Sequence, residues 1–234
     1  MSAIAGKETL SRRGRSRLLR LAGRVVLVLI LIPLVLVPLY AVVRPVSTLM
    51  IYERVVSGPV ARTWVSLDDI APSLVSSVLM SEDGKFCSHS GVDWDEIAKV
   101  LDRSDDRPRG ASTIAMQTVK NLFLWPSRSY LRKAIEMPLA LYADVVLGKK
   151  RVMEIYLNVV EWGPGIFGVE AAAQHYFGRS AARLTASQSA LLAATLPNPT
   201  ARDPAHPTRA LNTLARRIAG LARASGAYVD CLYR

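Results

Sequence analysis

From Val25 to Val43 the chain carries 19 consecutive uncharged, almost wholly apolar residues. A helix needs roughly 20 residues to cross a bilayer. In hydrocarbon every backbone polar group must be bonded within its own segment, so such a run is restricted to one helix. Lys7, Arg12, Arg13, Arg15, Arg17, Arg20 and Arg24 precede it and only Arg44 follows closely, which predicts a cytoplasmic N-terminus and everything after the span outside. A cleaved signal peptide is disfavoured. The run exceeds the usual apolar region, and no small-x-small site follows before Arg44. Pro33 and Pro38 bend a membrane helix but are tolerated in one. The expected organisation is a basic tail over 1–24, an anchor over 25–43, a linker and approach segment over 44–70, a domain over 71–200, and a C-terminal extension over 201–234.

The net charge of +11 raises the question of nucleic acid. Residues 1–44 hold eight Lys or Arg against Glu8, or +7; the remaining residues hold 22 bases against 18 acids, or +4. The excess is therefore a topology signal and a contact for anionic lipid. No nucleic-acid motif accompanies it. Cys87 and Cys231 are the only cysteines. A disulfide is permitted outside the cytoplasm, but the pair is read as two free or buried thiols, and no metal-ligand spacing is present.

Beyond the anchor, Pro45, Gly58 and Pro59 mark turns, and from Ala71 onward apolar residues recur with helical spacing. Alternating runs long enough for a sheet are missing, which predicts a mainly α domain with at most a small hairpin. A helix from Ala71, apolar at Leu74, Val75, Val78 and Leu79, delivers Glu82 and Asp83 at its C-terminal end. The helix dipole disfavours carboxylates there, so the two acids answer to something other than that helix. Asp93 with Glu96 reads as the cap of the next helix. An acid held at such a corner against apolar neighbours has its pKa raised into the range of a general base; the alternative is a solvated acidic turn.

Pro108 and Gly110 make a loop, and Ser112 or Thr113 caps the helix after it. On that helix Thr113, Gln117, Lys120 and Asn121 fall within an arc of roughly 100°, a polar stripe turned to a cleft or to solvent. Arg128, Arg132 and Glu136 follow at i, i+4 and i+8 with Lys133 adjacent. Within one helix these are surface pairs of a few tenths of a kcal/mol; together with Lys120 they are also what a diphosphate leaving group requires. Pro138 is expected to kink or end this helix near Met137. Further helices are expected over Lys149 to Asn158, over Glu170 to Phe177 ending at Gly178, over Ala186 to Ala194 behind a Thr185–Gln188 capping box, and around Leu211 to Ala222. The loop from Trp162 to Gly168 has no phosphate-binding pattern.

Four segments in this order resemble the peptidoglycan glycosyltransferases, specifically the monofunctional biosynthetic transglycosylases. They are Glu82-Asp83-x-x-Phe86-x-x-His89-x-Gly91, Gly110-x-Ser112-Thr113-Ile114-x-x-Gln117-x-x-Lys120-Asn121, Arg132-Lys133-x-x-Glu136, and Glu154-x-x-Leu157-Asn158 running on to Gly168 and Tyr176-Phe177-Gly178. The resemblance covers roughly Ala71 to Pro199. Where the family often has a second glycine this chain has Ala111.

The resemblance implies a lysozyme-like helical domain, anchored in the inner membrane with its catalytic part periplasmic, that joins lipid II units by β-1,4 transfer and releases undecaprenyl diphosphate. It implies Glu82 as base, with Glu136 orienting the diphosphate or helping to hold a divalent cation, Mg2+ or Mn2+; the residues themselves require no cofactor. Lys120, Arg128, Arg132 and Lys133 would bind the diphosphate, and Ser112, Thr113, Gln117, Asn121 and His89 the rest of the substrate. The implied partners are lipid II, the growing lipid-linked glycan, and transpeptidases with divisome or elongasome proteins, because cross-linking is expected to fall to another protein. A lytic muramidase would not need the cations from Lys120 to Lys133. A non-catalytic wall-binding tether would need neither Glu82 nor Glu136.

Overall fold

The computed structural model describes residues 12–102, 111–127 and 129–233. Arg128, the loop around Pro108 and Gly110, and Lys7 of the basic tail lie outside the described residues.

Helix α1, Arg12–Leu39, contains most of the apolar run and ends four residues before its predicted limit at Val43. Its last carbonyls accept N–H groups of the turn Tyr40 to Val43, and the domain adds further contacts there. Pro38 has no N–H, which frees the carbonyl one turn back, and Tyr142 donates its hydroxyl to that Leu34 oxygen at 2.9 Å. Arg151 donates to the Tyr40 and Val43 carbonyls, both at 2.8 Å, as a cation at a helix C-terminus should. Part of the linker stretch is helical: Ser47 caps α2, Thr48–Val56, and Thr48 donates to Asn121 O and Leu124 O, at the end of a later helix.

The remaining helices are α3 Pro72–Glu82, α4 Trp94–Asp102, α5 Ile114–Phe123, α6 Tyr130–Val159, α7 Val169–Phe177, α8 Ala186–Thr195 and α9 Arg209–Arg223. Their caps follow local chemistry: Thr113, Ser129, Thr185 and Thr208 each accept a backbone N–H of the first turn, and Gly178 closes α7 in the left-handed conformation. The most extensive pairing is α5 against α6, and α3 packs on α8 and α9. Leu74, Val78, Leu79, Phe86, Met116, Met153, Tyr156 and Trp162 form one core with these helices. The expected hairpin is present as β2 Glu161–Gly163 and β3 Ile166–Phe167, and the linker adds a third strand, β1 Ala61–Arg62, parallel to β3.

Two expectations are corrected. Pro138 neither ends nor breaks α6; the non-helical residue is Gly148, with φ 71° and ψ 164°, a backbone shape open to glycine. Cys87 and Cys231 are not free thiols but a disulfide across 144 residues of sequence. Spacing could not reveal the pair, because they meet only when the turn Gly226–Leu232 after α9 folds back against the loop Phe86–Ser88.

A cross-link of this span stabilises mainly by restricting the unfolded chain, by about 2–5 kcal/mol. Reductant should therefore lower the thermal midpoint of the wild type measurably and leave that of a Cys87→Ser, Cys231→Ser variant unmoved. Equal midpoints for oxidised and reduced wild type would rule out a stabilising bridge.

Candidate active site

The site grows from the junction of α3 with α5. Leu74, Val75, Val78 and Leu79 bury one side of α3, which fixes its end, and Glu82 is its last helical residue with Asp83 as cap. The Asp83 carboxylate turns away from its own helix. It accepts the Ile114 N–H, the first of α5, at 2.9 Å and faces His89 Nε2 at 2.9 Å. Asp83 thus ends the wrong terminus of α3 by serving the right terminus of α5. The loop between is held at further points: Thr113 donates to Gly91 O at 2.6 Å, Lys149 donates to His89 O, and a Cβ on Gly91, at φ +81°, would sit 2.5 Å from Ala140 O.

Glu82 is held by a different set. Gln117 Nε2 donates to Glu82 Oε2 at 2.9 Å, and the Tyr156 hydroxyl donates to Gln117 Oε1 at 3.1 Å. Tyr156 is fully buried, so the amide is presented in one orientation. Burial raises the pKa of Glu82, opposed by the Gln117 and Ser81 hydrogen bonds and by the charge of Lys120. Such a carboxylate binds a proton more readily than a solvated one and is suited to proton transfer.

Lys120 lies one turn beyond Gln117 on α5. It makes no hydrogen bond or ion pair among the described residues; burial first and then Arg132 lower its pKa, while Glu82 and Glu161 raise it. Arg132 and Lys133, at the start of α6, both pair with the buried Glu136, Lys133 at 3.3 Å. Lys133 also donates to Ser112 Oγ. Burial, then Arg132 and Lys120, push its pKa down to about 8. Both Glu136 oxygens are thereby engaged by cations. No three His, Cys, Asp or Glu of the described residues converge as a metal site.

A cleft of about 360 Å³ is lined by Ser81, Glu82, Asp83, Gly84, Lys85, Asp93, Glu96, Ala111, Ser112 and Thr113. Of the residues named from sequence, Glu82, Ser112 and Thr113 face it, and Lys133 reaches its wall through Ser112. Gln117 and Lys120 lie against Glu82. Two residues of the predicted polar stripe turn inward instead: Asn121 is 2% exposed and donates to Gln117 O, and Thr113 is 3% exposed and caps α5. His89 packs on Asp83 rather than in the cleft wall, with its side chain 8% exposed. Asp83 as a joint and Tyr156 as an orienting hydroxyl were missed. Asp83 sits beside Glu82 in the first motif and was the available signal; Tyr156 reads as an apolar helix residue and left none.

Comparison with known proteins agrees with this arrangement. The sequence model described as "Transglycosylase" matches residues 50–223. A biosynthetic peptidoglycan transglycosylase of Brucella suis biovar 1 (strain 1330) is 60% identical over 215 residues, covering 90% of this chain and 96% of that protein. Proteins of the same name from Agrobacterium fabrum (strain C58 / ATCC 33970) and Rhizobium meliloti (strain 1021) are 55% and 54% identical, covering 91% and 98% of this chain and 97% and 99% of their own lengths. Since the match begins within α2, takes in the Glu82 corner and the α5–α6 cations, and runs to the end of α9, the chain belongs to the transglycosylase family.

Proposed function

We propose that this glycosyltransferase of peptidoglycan synthesis extends glycan chains from lipid II, with Glu82 as the general base. The observation that carries the reading is a carboxylate of raised pKa, aimed by Gln117 and Tyr156, beside a group of cations whose only carboxylate ion-pair partner among the described residues is Glu136. In the reaction Glu82 takes the proton of the acceptor sugar 4-hydroxyl. That oxygen attacks C1 of the lipid-linked donor from the face opposite the leaving group. The C1–O bond to the diphosphate breaks, its electron pair leaves with the phosphate oxygen, and a β-1,4 bond forms with inversion. Lys120, Arg132 and Lys133 carry the charge that develops on the diphosphate, and Arg128, four residues before Arg132, belongs with them by sequence. Glu136 holds Arg132 and Lys133 in place. Ser112 positions Lys133, and Gln117 positions Glu82. Thr113, Asn121 and His89 act through the backbone and through Asp83 rather than on substrate.

The site would lie on the periplasmic side of the inner membrane. The basic residues before the apolar run support that orientation, and so does the disulfide, because such bonds persist in oxidising compartments. A lytic muramidase is the weaker reading, since water attack needs no cluster of cations opposite the acid.

The primary test is a single-turnover assay of the detergent-solubilised protein with lipid II, products resolved on a gel. Wild type should give a glycan ladder, and Glu82→Gln should lose roughly 10²- to 10⁴-fold in the chemical step while still binding a substrate-like phosphoglycolipid. Near-wild-type polymerisation by this variant would remove Glu82 as base. Because burial raises its folded pKa above the unfolded value, the folded protein holds that proton more tightly, and stability falls as pH rises through this window. Glu82→Gln should accordingly match or exceed the wild-type thermal midpoint at neutral pH.

The pH profile of kcat/KM should be bell-shaped. Its acid limb follows Glu82 becoming protonated, and its alkaline limb follows loss of the Lys133 charge as pH rises through about 8. Lys133→Met should lower activity and remove that alkaline limb; an unchanged limb would separate Lys133 from the leaving group.

Topology is checked by protease treatment of intact spheroplasts, in which residues after Arg44 should be digested. Their protection would reverse the orientation.

A further inference from the structure

Beyond the end of α1, two arginines stack on one tryptophan, away from the cleft. The Arg62 guanidinium lies 4.9 Å from the Trp64 ring centroid and that of Arg151 lies 5.4 Å from it. Arg151 is fully committed: Nε and Nη2 donate to the Tyr40 and Val43 carbonyls just after α1, and Nη1 pairs with Glu154. Arg62 is not. Its Nε and Nη2 are buried and bond to nothing among the described residues. The charge that acts on it is Arg44, the first residue after the apolar run, and together with burial this lowers its pKa. Among the described residues no carboxylate forms an ion pair with Arg44 or Arg62.

Buried cationic donors without a partner are costly and uncommon in folded proteins. Two N–H groups of one guanidinium, one of them Nε, present a fork that fits two oxygens of a phosphate, and such an anion would also relieve the repulsion between Arg44 and Arg62. The surroundings indicate where it comes from. Val42 and Val46 are 82% and 56% exposed beside Arg44, an apolar rim at the level where α1 stops. Tryptophan with arginine is the composition found at the headgroup boundary. Neither Arg62 nor Arg44 lines the cleft at Glu82.

We propose that Arg62 and Arg44, backed by Trp64, hold the phosphate of a membrane-lipid headgroup at the outer end of α1, a reading that rests on α1 being the membrane anchor. The bound lipid would tie β1, and through it the β2–β3 hairpin, to the bilayer surface at a second point beside the anchor.

The test uses the full chain in an alkyl maltoside, titrated by native mass spectrometry with phosphatidylglycerol and, as a phosphate-free probe, a glucosyl diacylglycerol with the same acyl chains. Wild type should prefer the phospholipid by about tenfold or more. Arg62→Met, which keeps an alkyl stem on Trp64, should lose that preference while still partitioning into phosphatidylglycerol vesicles through α1. Should that variant misfold, the exposed Arg44→Gln carries the same expectation of a weakened preference. The proposal is overturned if wild type holds both lipids equally, if the preference survives in the variants, or if millimolar inorganic phosphate displaces the phospholipid, which would make this a free-anion site. Failure of the wild type to partition into vesicles would overturn the anchor reading along with it.

Discussion

The Asp83 carboxylate joins the C-terminal end of α3 to the first N–H of α5, and the geometry of the cleft depends on that bond. It places an acid where the α5 dipole is positive, and through His89 it also holds the loop that returns toward α4. Glu82 is the neighbour of this joint on one side, and Gln117 and Lys120 lie one and two turns into the helix it caps. Displacing α5 along its axis would break the Asp83 contact and the Glu82–Gln117 contact together. Glu82 and the side chains against it are therefore set by one charge-assisted bond between helix ends.

Around this joint the structure places charges that resist each other. Burial favours the protonated form of Glu82, and besides burial Arg132 lowers the pKa of Lys120 and of Lys133, to which Lys120 adds at Lys133. Glu136 is the buried counterweight, and without it two adjacent cations on α6 would stand uncompensated. This is an arrangement short of negative charge where a diphosphate would supply it.

The same logic repeats at the membrane end. Tyr142 from α6 satisfies the carbonyl of α1 that Pro38 frees, and Arg151 from α6 holds the Tyr40 and Val43 carbonyls of the turn that follows. α6 therefore carries both the cations Arg132 and Lys133 at its start and the contacts with the end of α1 near and beyond its Gly148 break. Gly148 lets one chain segment serve both ends, since beyond it Lys149 can turn to the His89 carbonyl and Arg151 to α1.

The sequence by itself determined the apolar span, the helical class, most caps and the residue types of the site, because these depend on neighbours within a turn or two: Thr113, Thr185 and Gly178 act on backbone a few residues away. Glu82, Lys120, Arg132, Lys133 and Glu136 were legible as acid and cations for the same reason. Only the tertiary structure decided that Asp83 caps a helix 31 residues away, that Tyr156 orients Gln117 across 39 residues, that Asn121 turns inward, and that Cys87 meets Cys231. Pro138 shows the limit from the other side. Its local rule predicts an interruption, yet α6 runs through it, because packing against α5 and the core outweighs one lost hydrogen bond, and the break moves to Gly148, where the backbone bends without strain.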